Sequence, residues 1–274
     1  MKDLINKVFV VTGAGNGVGR ALTLGLLAKG ARVAAVDISP TFLKETVRVA
    51  KTTSSNLRTY VVDITDLEKV NALPALIEKD FGQIDGLINN AGIIQPFIKV
   101  MDLKQTDIER VMNVNFYGTL QMCRAFLPTL VKRPIASLVN VSSMGGFTPV
   151  PGQAIYGASK AAVKLLTEAL YAELKGTSVQ VTIVFPGAIG TNITKNSGVD
   201  MRLSKEDAEK MASRQKTLAP EAAANFIISK AVQQGRYRLV VGKDASTLDK
   251  LSRLNPKFAT NMIAKAMKSL LQLI

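Results

Sequence analysis

Short apolar runs rich in β-branched residues alternate along the chain with longer segments in which apolar residues recur every three or four positions. The first pattern is typical of strands buried on both faces, and the second of helices that cover a sheet. The pattern predicts strands at 7–11, 32–36, 58–62, 84–89, 135–141, 179–185 and 237–241, and helices at 18–29, 41–51, 66–80, 105–131, 155–174 and 220–234. This alternation predicts an α/β fold, a doubly wound parallel sheet of seven strands.

The connections between these elements are short except for residues 188–218, which contain a polar, helix-like stretch at 204–216. A long excursion at the carboxyl end of a strand in such a sheet is where a lid over a substrate would lie. We therefore predict a dinucleotide-binding catalytic domain at 1–242, which includes this lid, and a C-terminal extension at 243–274. A plain surface insertion is the alternative for the long connection.

The extension carries the pattern of an amphipathic helix. Asn255 and Pro256 are typical of a helix start, and apolar residues then recur every three or four positions up to Ile274. Lys257 and Lys265 lie on the opposite side of this helix. The protein's own body, a second subunit or a membrane surface could cover the apolar stripe, and the sequence leaves all three open. Peripheral membrane contact through 256–274 is therefore one of the predictions to test.

Composition excludes several kinds of chemistry. The chain of 274 residues is 47% hydrophobic and 20% charged, as expected for a folded protein with a large core. It has no histidine, which excludes a Ser-His-Asp triad, a Cys-His pair and the histidine ligands of most catalytic zinc sites. The single cysteine, Cys123, has apolar neighbours and is predicted to be a buried structural thiol. No metal site is predicted.

Charge and hydropathy bear on partners and location. The 35 basic residues outnumber the 21 acidic ones, for a net charge of +14, and residues 235–274 hold eight basic and two acidic residues. There is no tryptophan and no basic cluster interleaved with aromatic residues, so no nucleic-acid partner is predicted. The N-terminus lacks the pattern of a secretory signal, and no stretch supplies about 18 uninterrupted apolar residues for a membrane span. The sequence predicts a cytoplasmic protein.

A glycine-rich turn follows the first predicted strand. Residues 12–19 read TGAGNGVG and are followed by a helix rich in alanine and leucine. Glycines allow a sharp turn and the close approach of a pyrophosphate, whose charge is favoured by the amides at a helix N-terminus. The spacing is G-x-x-x-G-x-G rather than the familiar G-x-G-x-x-G. The turn predicts a bound nucleotide, although alone it is a weak signal.

Asp37 ends the second predicted strand, 24 residues after Gly13. This is near the spacing expected for the acid that binds the ribose hydroxyls of a dinucleotide. A carboxylate there accepts from the 2′-hydroxyl of NAD and repels the 2′-phosphate of NADP. Neither Asn16 nor Ile38 supplies a cation for that phosphate, so NAD is the predicted cofactor. Arg20 lies close in sequence and keeps the preference open to test.

Tyr156 and Lys160 are four residues apart and so share one face of a predicted helix. A free tyrosine titrates near roughly 10 and is a poor base at neutral pH. Lowering its pKa by about three units requires about 4 kcal/mol of preferential stabilisation of the phenolate. Lys160, helped by the positive nicotinamide of an oxidised cofactor, could supply it, and Tyr156 would then transfer a proton. Without the other motifs, a solvated surface pair would be the better interpretation.

Three further motifs complete a pattern. Residues 89–92 read NNAG at the end of the fourth predicted strand, 141–143 read VSS at the end of the fifth, and 156–160 read YGASK at the start of the next helix. Together with the glycine turn they resemble the short-chain dehydrogenase/reductase family, over roughly residues 5–242. The resemblance implies a Rossmann-type sheet with strand order 3-2-1-4-5-6-7. It also implies a homo-oligomer that transfers a hydride between NAD(H) and a secondary alcohol or ketone.

The resemblance also implies roles for individual residues. Ser143 would hold the substrate oxygen, with Ser142 as the competing candidate. Asn115 matches an Asn-x-x-Gly motif and would help to hold a water that connects Lys160 to solvent, with Asn113 as the alternative. The implied cofactor-binding residues are Gly13, Asn16, Gly17, Val18, Gly19, Asp37, Asp63, Asn90, Ala91, Gly92, Tyr156, Lys160, Pro186, Gly187, Ile189 and Thr191. Asp63 would meet the adenine, Asn90 the adenosine ribose, and Ile189 and Thr191 the nicotinamide carboxamide.

The identity of the small-molecule substrate is the most open question. Several residues near the motifs predict an apolar pocket, namely Ile93, Ile94, Pro96, Phe97, Phe147 and Val150. This favours a steroid-, retinoid- or lipid-like alcohol. Two alternatives stay open: a reductase of a carrier- or CoA-bound 3-oxoacyl substrate, and, in another class, a nucleotide-binding regulator or peripheral membrane module without turnover.

Overall fold

The computed structural model describes residues 1–199 and 217–268 of the chain. Within those residues, seven parallel strands form one sheet in the order β3-β2-β1-β4-β5-β6-β7. The strands are β1 (Val8–Thr12), β2 (Arg32–Asp37), β3 (Leu57–Val61), β4 (Gly86–Asn89), β5 (Ala136–Val141), β6 (Val179–Pro186) and β7 (Arg238–Val241). The predicted fold class and strand order are confirmed.

Helices cover both faces of this sheet. They are α1 (Gly17–Leu27), α2 (Pro40–Ala50), α3 (Leu67–Phe81), α4 (Gln105–Met112), α5 (Thr119–Leu130), α6 (Ala154–Glu173), α7 (Ile193–Asn196), α8 (Pro220–Ile227), α9 (Lys243–Leu254) and α10 (Pro256–Ala266). The side chains of β1 alternate between the two faces: Val8 and Val10 pack with α3 and α5, while Phe9 and Val11 pack with α1 and α8. Burial on both faces explains why the strands are continuous apolar runs in the sequence.

The sheet changes direction beside β1. Val10 pairs with Ala34 of β2 on one side and with Leu87 of β4 on the other. The connections that follow β1 and β4 therefore leave on opposite faces, and a crevice opens between them at the carboxyl ends of the strands. The glycine turn and residues 89–92 both lie at this crevice.

The predicted helix at 105–131 is not continuous. It is divided by a π-helical segment, Asn113–Gly118, which joins α4 to α5. A second π-helical segment, Ile228–Gln233, continues α8. π-Helical turns inside helices frequently occur at functional sites, and the first of these segments holds Asn115.

The C-terminal part differs from the prediction in one respect. The amphipathic helix is present as α10, and the side chain of Asn255 caps it by accepting a hydrogen bond from the backbone N–H of Phe258 at 2.9 Å. The preceding helix α9, on which α10 packs, was not predicted. The predicted helical stretch at 204–216 and the end of the apolar stripe at 269–274 lie outside the described residues. The domain boundary at 242 stays a prediction.

Candidate active site

Two adjoining cavities lie at the carboxyl edge of the sheet. The first, of about 500 Å³, is bounded by the glycine turn and by the ends of β2, β3 and β4. The second, of about 510 Å³, is bounded by the ends of β5 and β6 and by the start of α6. The residues that line both cavities are Val18, Asn90, Gly92, Thr191 and Ile193. The two cavities therefore form one elongated cleft across the switch point of the sheet.

The glycine turn packs tightly against the start of α1. Gly13 has a φ of 65°, in the left-handed region that favours glycine. A Cβ atom on Gly19 would lie 1.9 Å from the carbonyl oxygen of Gly13, so the helix and the turn pack backbone against backbone. Asn16 caps the helix through its side chain, which accepts from the N–H of Gly17. The turn thus offers backbone N–H groups to the first cavity without bulky side chains in the way.

The carboxylate of Asp37 lies at the wall of the first cavity. Its two oxygens accept hydrogen bonds from the backbone N–H groups of Gly15 and Ser39, each at 2.9 Å. Arg20, the nearby cation that left the cofactor preference open, donates its Nε to the carbonyl oxygen of Gly15 at 3.0 Å and to Thr46 Oγ1 at 3.1 Å. These bonds tie the guanidinium of Arg20 to the turn itself.

The remaining predicted residues of the first cavity brace the strand ends. Asp63 lines the cavity and accepts from the backbone N–H and the hydroxyl of Thr65 at 2.9 and 2.8 Å. Asn90 donates its Nδ2 to the carbonyl oxygen of Thr12 at 3.1 Å, and its backbone N–H donates to Thr12 Oγ1 at 3.0 Å. These two bonds fix β4 against β1 at the mouth of the crevice.

Arg110, which the sequence analysis did not single out, also lines this cavity and donates to the carbonyl oxygen of Ser197 at 2.9 Å.

Ser143, Tyr156 and Lys160 all line the second cavity. Tyr156 lies in the first turn of α6 and Lys160 one turn later. The ammonium of Lys160 donates to the carbonyl oxygen of Val141 at 3.1 Å, and the residue is only 4% exposed. Burial lowers the pKa of Lys160 to about 8. Gly92 faces this ammonium, because a Cβ atom there would lie 3.0 Å from Nζ.

The pKa of Tyr156 differs in direction from the expectation drawn from the sequence. Burial raises the pKa of its phenol, and a hydrogen bond with the Ser143 hydroxyl offsets part of that rise. The expectation from the sequence counted the charges of Lys160 and of an oxidised nicotinamide, but not the loss of water around the phenol. Burial therefore opposes the lowering of the pKa that these charges would produce.

The structure separates the two competing serines. Ser142 is 3% exposed, and its hydroxyl donates to the carbonyl oxygen of Lys160 at 2.7 Å. Ser143 is less buried, and its Oγ accepts from the N–H of Gly145 at 3.1 Å. The hydroxyl of Ser143 lies near enough to Tyr156 to lower the pKa of its phenol, whereas the hydroxyl of Ser142 is held by the backbone of α6.

The two competing asparagines are also separated. Asn115 is fully buried, while Asn113 is exposed. The side chain of Asn115 bonds both backbone groups of Ile93, accepting from N at 2.8 Å and donating to O at 2.9 Å, and it donates to Ser159 Oγ at 2.9 Å. Asn115 therefore joins the π-helical segment, the strand end after β4 and helix α6. A Cβ atom on Gly92 would lie 3.2 Å from its Oδ1.

The segment after β6 contributes the remaining predicted residues. Pro186, Gly187, Ile189 and Thr191 line the second cavity, and Ile189 pairs with Leu218 in a parallel bridge. Two hydrogen bonds to the backbone of Leu218 form this bridge. The carbonyl oxygen of Ala188 accepts from the N–H of Leu218 at 2.9 Å, and the N–H of Gly190 donates to the carbonyl oxygen of Leu218 at 3.0 Å.

Asp244 is a contributor to this segment that the sequence analysis missed. Its Oδ2 accepts from the N–H of Ala188 at 2.7 Å, and a Cβ atom on Gly187 would lie 2.3 Å from its Oδ1. Asp244 stands in the first turn of α9, so the predicted C-terminal extension contacts the site. In the sequence, the only sign of this contact is an acidic residue shortly after the glycine that follows β7.

The predicted apolar pocket is not lined as expected. Among the described residues that line the cavity around Tyr156, the apolar ones include Val18, Ile189 and Ile193, whereas Ile93 lines the first cavity. Phe147 packs edge-on against Phe185 of β6, with ring centroids 5.2 Å apart. Its ring belongs to a small core cluster. Tertiary packing thus uses this aromatic residue inside the fold.

The cleft fits an extended dinucleotide. Its first half combines backbone N–H groups at a helix N-terminus with a carboxylate at the end of β2, which suits a pyrophosphate and a ribose. A Cβ atom on Gly15 would lie 2.6 Å from Phe42 and 2.8 Å from the carboxylate of Asp37, so the turn lies directly on this carboxylate. Its second half places a phenol, a hydroxyl and an ammonium around one space. No helix among the described residues is long and apolar enough to cross a bilayer.

Comparisons with known proteins bear on the family of the chain. The family model for short chain dehydrogenases matches residues 7–202. The oxidoreductase SadH of Mycobacterium tuberculosis is 37% identical over 257 residues, which cover 93% of this chain and 92% of SadH. The 3-oxoacyl-[acyl-carrier-protein] reductase FabG of Thermotoga maritima is 34% identical over 237 residues, which cover 85% of this chain and 94% of FabG.

Solved structures show the same architecture. A short-chain dehydrogenase/reductase from Burkholderia phymatum in complex with NAD superposes with a TM-score of 0.83 at 25% identity, covering 94% of this chain and 96% of that one. A short chain dehydrogenase from Burkholderia cenocepacia in complex with NADP gives a TM-score of 0.78 at 26% identity, covering 95% and 98%. The neighbours thus bind either nicotinamide cofactor. The chain belongs to the short-chain dehydrogenase/reductase family of oxidoreductases.

Proposed function

We propose that the chain catalyses the reversible, NAD-dependent oxidation of a secondary alcohol to a ketone. The observation that carries this proposal is the convergence of Ser143, Tyr156 and Lys160 on a cavity that adjoins the cleft of Asp37. NAD, when bound, supplies the hydride acceptor. The residues of the chain hold the substrate oxygen and move its proton.

Ser143 and Tyr156 act on the same oxygen. A substrate hydroxyl between them accepts a hydrogen bond from Ser143, and its proton passes to the phenolate of Tyr156. Lys160, with a pKa of about 8, is largely protonated at neutral pH and stabilises that phenolate. Since burial raises the pKa of Tyr156, the positive charge of an oxidised nicotinamide, when bound, would add to the effect of the Lys160 ammonium. Proton transfer therefore depends on cofactor binding.

The test is a panel of secondary alcohols and ketones of graded hydrophobicity, followed by nicotinamide absorbance with both cofactors. We expect turnover of at least one alcohol, and we expect Tyr156→Phe to lower kcat by about 10³-fold or more, within the range for loss of a general acid–base group. The Kd for NADH, measured by its fluorescence, should stay close to that of the wild type. Normal turnover by the variant would refute the role of Tyr156. NADH binding without turnover of any substrate would favour a nucleotide-binding regulator.

NAD rather than NADP is the proposed cofactor, although relatives of known structure bind either. The negative charge of Asp37 at the wall of the first cavity supports this preference. The hydrogen bonds of Arg20 to Gly15 and Thr46 also support it, because they commit the nearby cation to the turn. Comparable kcat/KM with NADP would contradict the proposal.

The proposed substrate is an apolar, steroid-, retinoid- or lipid-like alcohol or ketone. Val18, Ile189 and Ile193 support it by forming an apolar wall in the cavity of Tyr156. The second candidate is reduction of a carrier- or CoA-bound 3-oxoacyl group, which the 34% identity to the Thermotoga FabG favours. Adding an acetoacetyl thioester to the panel distinguishes the two. A kcat/KM for the thioester far above that of every free ketone would support the second candidate.

We also propose that the enzyme binds an anionic lipid surface through its C-terminal helix. Phe258 and Met262 of α10 are 55% and 37% exposed, and Leu254 before it is 85% exposed. Residues 250–268 contain five basic residues and no acidic one. Each basic residue near an anionic leaflet contributes about 1 kcal/mol. A second copy of the chain would instead bring like charges together on this face.

Vesicle co-sedimentation tests this contact. Vesicles with one-third phosphatidylserine should retain the protein at low salt, and pure phosphatidylcholine vesicles should not. The double variant Phe258→Ser, Met262→Ser should lose this retention. Leu76→Ser is the matched control, because Leu76 is an exposed apolar residue of α3, 51% accessible and remote from α10 in sequence. Equal sedimentation of all three proteins would exclude the contact.

A homo-oligomer is the remaining proposal. Helix α6 exposes Leu165 at 67% and Tyr171 at 38%, which supports an apolar contact with a second copy. Light scattering on the purified chain measures the assembly directly, and a monomer at micromolar concentration would contradict this proposal.

A further inference from the structure

Helix α6 carries Tyr156 in its first turn, and this turn is not capped by its own N-cap residue. The helix begins at Ala154, and the side chain of the preceding Gln153 makes no capping bond to it. The first N–H groups of any helix have no partner inside the helix. The N–H groups of this turn need an acceptor from another part of the chain, since Gln153 and Tyr156 are both largely shielded from water.

Gln95 supplies that acceptor. Its side-chain Oε1 accepts from the N–H of Ile155 at 2.8 Å and from the N–H of Tyr156 at 3.1 Å. These are the second and third helical positions, whose N–H groups an N-cap side chain ordinarily binds. Gln95 lies 60 residues before Ile155 and is fully buried. A residue of the segment after β4 therefore caps the helix that carries the phenol.

The rest of the Gln95 amide is also used. Its Nε2 donates to the carbonyl oxygen of Gly152 at 3.1 Å, and its own backbone carbonyl accepts from Nε2 of Gln153 at 2.8 Å. Only the amide oxygen can face two N–H donors, so these partners fix the orientation of the side chain. The segment after β4 and the start of α6 are thus joined by four hydrogen bonds through one residue.

The segment that holds Gln95 also forms the wall of the cleft. It begins at Gly92, which lines both cavities and faces the ammonium of Lys160. The next residue, Ile93, is held at both backbone groups by Asn115. A continuous set of bonds therefore runs from Asn115 through this segment to the backbone of Tyr156. The position of the phenol relative to the cleft wall is set at Gln95.

We propose that Gln95 is a positioning residue for the reaction, whose side-chain amide fixes the Tyr156 phenol relative to the cofactor and substrate. This inference rests on the proposed function. Gln95 itself touches no reacting atom. It acts by holding the first turn of α6 in register with the segment that bounds the cleft.

Gln95→Met removes both the acceptor and the donor at nearly constant side-chain length. Because a displacement of about 1 Å at a reacting group can cost up to about 100-fold in rate, we expect kcat to fall by about 30-fold. The kcat of each variant is normalised to the concentration of NADH-binding sites, titrated by fluorescence, so that a smaller fraction of folded protein does not lower it. The Kd for NADH should stay within about twofold of the wild type, because the variant leaves the residues of the first cavity in place.

Two further variants distinguish positioning from a general loss of stability. Gln95→Glu keeps an acceptor for the two N–H groups and should recover kcat to within about threefold of the wild type. Gln153→Met is the matched control: it removes a buried glutamine side chain and its one bond to the Gln95 carbonyl but leaves the cap in place, and its normalised kcat should stay within about twofold. If Gln95→Met yields no folded protein, Gln95→Asn, which withdraws the oxygen by one methylene, replaces it with the same expected loss.

The outcomes separate this inference from the function on which it rests. Absence of turnover by the wild type overturns the proposed function. With an active wild type, a normalised kcat of Gln95→Met close to the wild-type value overturns the role of Gln95 alone. An unrescued kcat in Gln95→Glu, or an equal loss in Gln153→Met, overturns it as well. Loss in Gln95→Met together with rescue and an unaffected control supports it.

Discussion

Replacing the two neighbouring serines one at a time should separate stability from catalysis. Ser142 and Ser143 are adjacent in sequence, but only the hydroxyl of Ser143 acts on the pKa of Tyr156. Ser142 donates to the carbonyl oxygen of Lys160 at 2.7 Å and is 3% exposed. We expect Ser142→Ala to lower the stability of the protein with little effect on kcat. We expect Ser143→Ala to lower stability as well, and to lower kcat far more than Ser142→Ala does.

The sizes of both effects follow from these contacts. The carbonyl of Lys160 lies within α6 and keeps its helical partner when Ser142 is replaced, so the net loss is that of one buried hydrogen bond, about 0.5–1.5 kcal/mol. For a chain of this size, in which 1 kcal/mol shifts Tm by about 2–4 °C, this loss lowers Tm by about 1–6 °C. Ser143 acts on the substrate oxygen, and removal of one such donor typically lowers kcat by about 10²–10³-fold. Ser143 Oγ also caps the N–H of the buried Gly145, so Ser143→Ala should lower Tm by an amount similar to that for Ser142→Ala.

Differential scanning calorimetry and steady-state assays on the same preparations measure both quantities. We expect both variants to lower Tm, and only Ser143→Ala to lower kcat by about 10²-fold or more. This expectation would be refuted if Ser142→Ala lost as much kcat as Ser143→Ala, because the hydroxyl held by α6 would then be taking part in the reaction. A full kcat in Ser143→Ala would remove the assigned contact with the substrate oxygen.

Two further predictions concern charge. Asp37→Asn removes the negative charge at the ribose end of the cleft. The ratio of kcat/KM for NADP to kcat/KM for NAD should therefore rise by at least about tenfold, a change of about 1.4 kcal/mol. An unchanged ratio would show that Asp37 does not set the preference. Burial lowers the pKa of Lys160 from its ordinary value of 10.5 to about 8 in the folded protein. Between these two pH values the unfolded chain therefore binds more protons than the folded one. The stability of the wild type should rise with pH across this range. Lys160→Met lacks this dependence on pH. Urea titrations at pH 7 should show it to be more stable than the wild type by up to about 3 kcal/mol, reduced by the free energy of the lost hydrogen bond to the carbonyl of Val141. This difference in stability should shrink towards pH 10. A stability difference independent of pH would contradict the burial of a charged ammonium.

The outline of the fold was readable from local patterns. Strands such as β1 and β5 are buried on both faces and so appear as continuous apolar runs, and each strand begins and ends within two residues of its predicted bounds. The glycine turn, Asp37 at the end of β2 and the spacing of Tyr156 and Lys160 are also local features. Each depends on a few consecutive residues, which is why the sequence determined where they lie.

Other features depended on contacts between distant residues. Asn115, which the Asn-x-x-Gly spacing already favoured over Asn113, bonds Ile93 and Ser159, which lie 22 and 44 residues away. Gln95 caps a helix that begins about 60 residues later, and Asp244 binds a backbone group 56 residues before it. Neither contact leaves a signal in its own stretch of sequence.

The sequence by itself determined where the strands, the helices and the glycine turn lie, because periodicity and spacing encode which face and which end of each element a side chain occupies. The resemblance to the family supplied the strand order and the choice of Ser143 over Ser142. Only the tertiary structure showed how the hydroxyl of Ser142 is bonded and that the phenol of Tyr156 is buried. Desolvation and hydrogen bonding are properties of surroundings that distant segments build together. The pattern of any one segment cannot contain them.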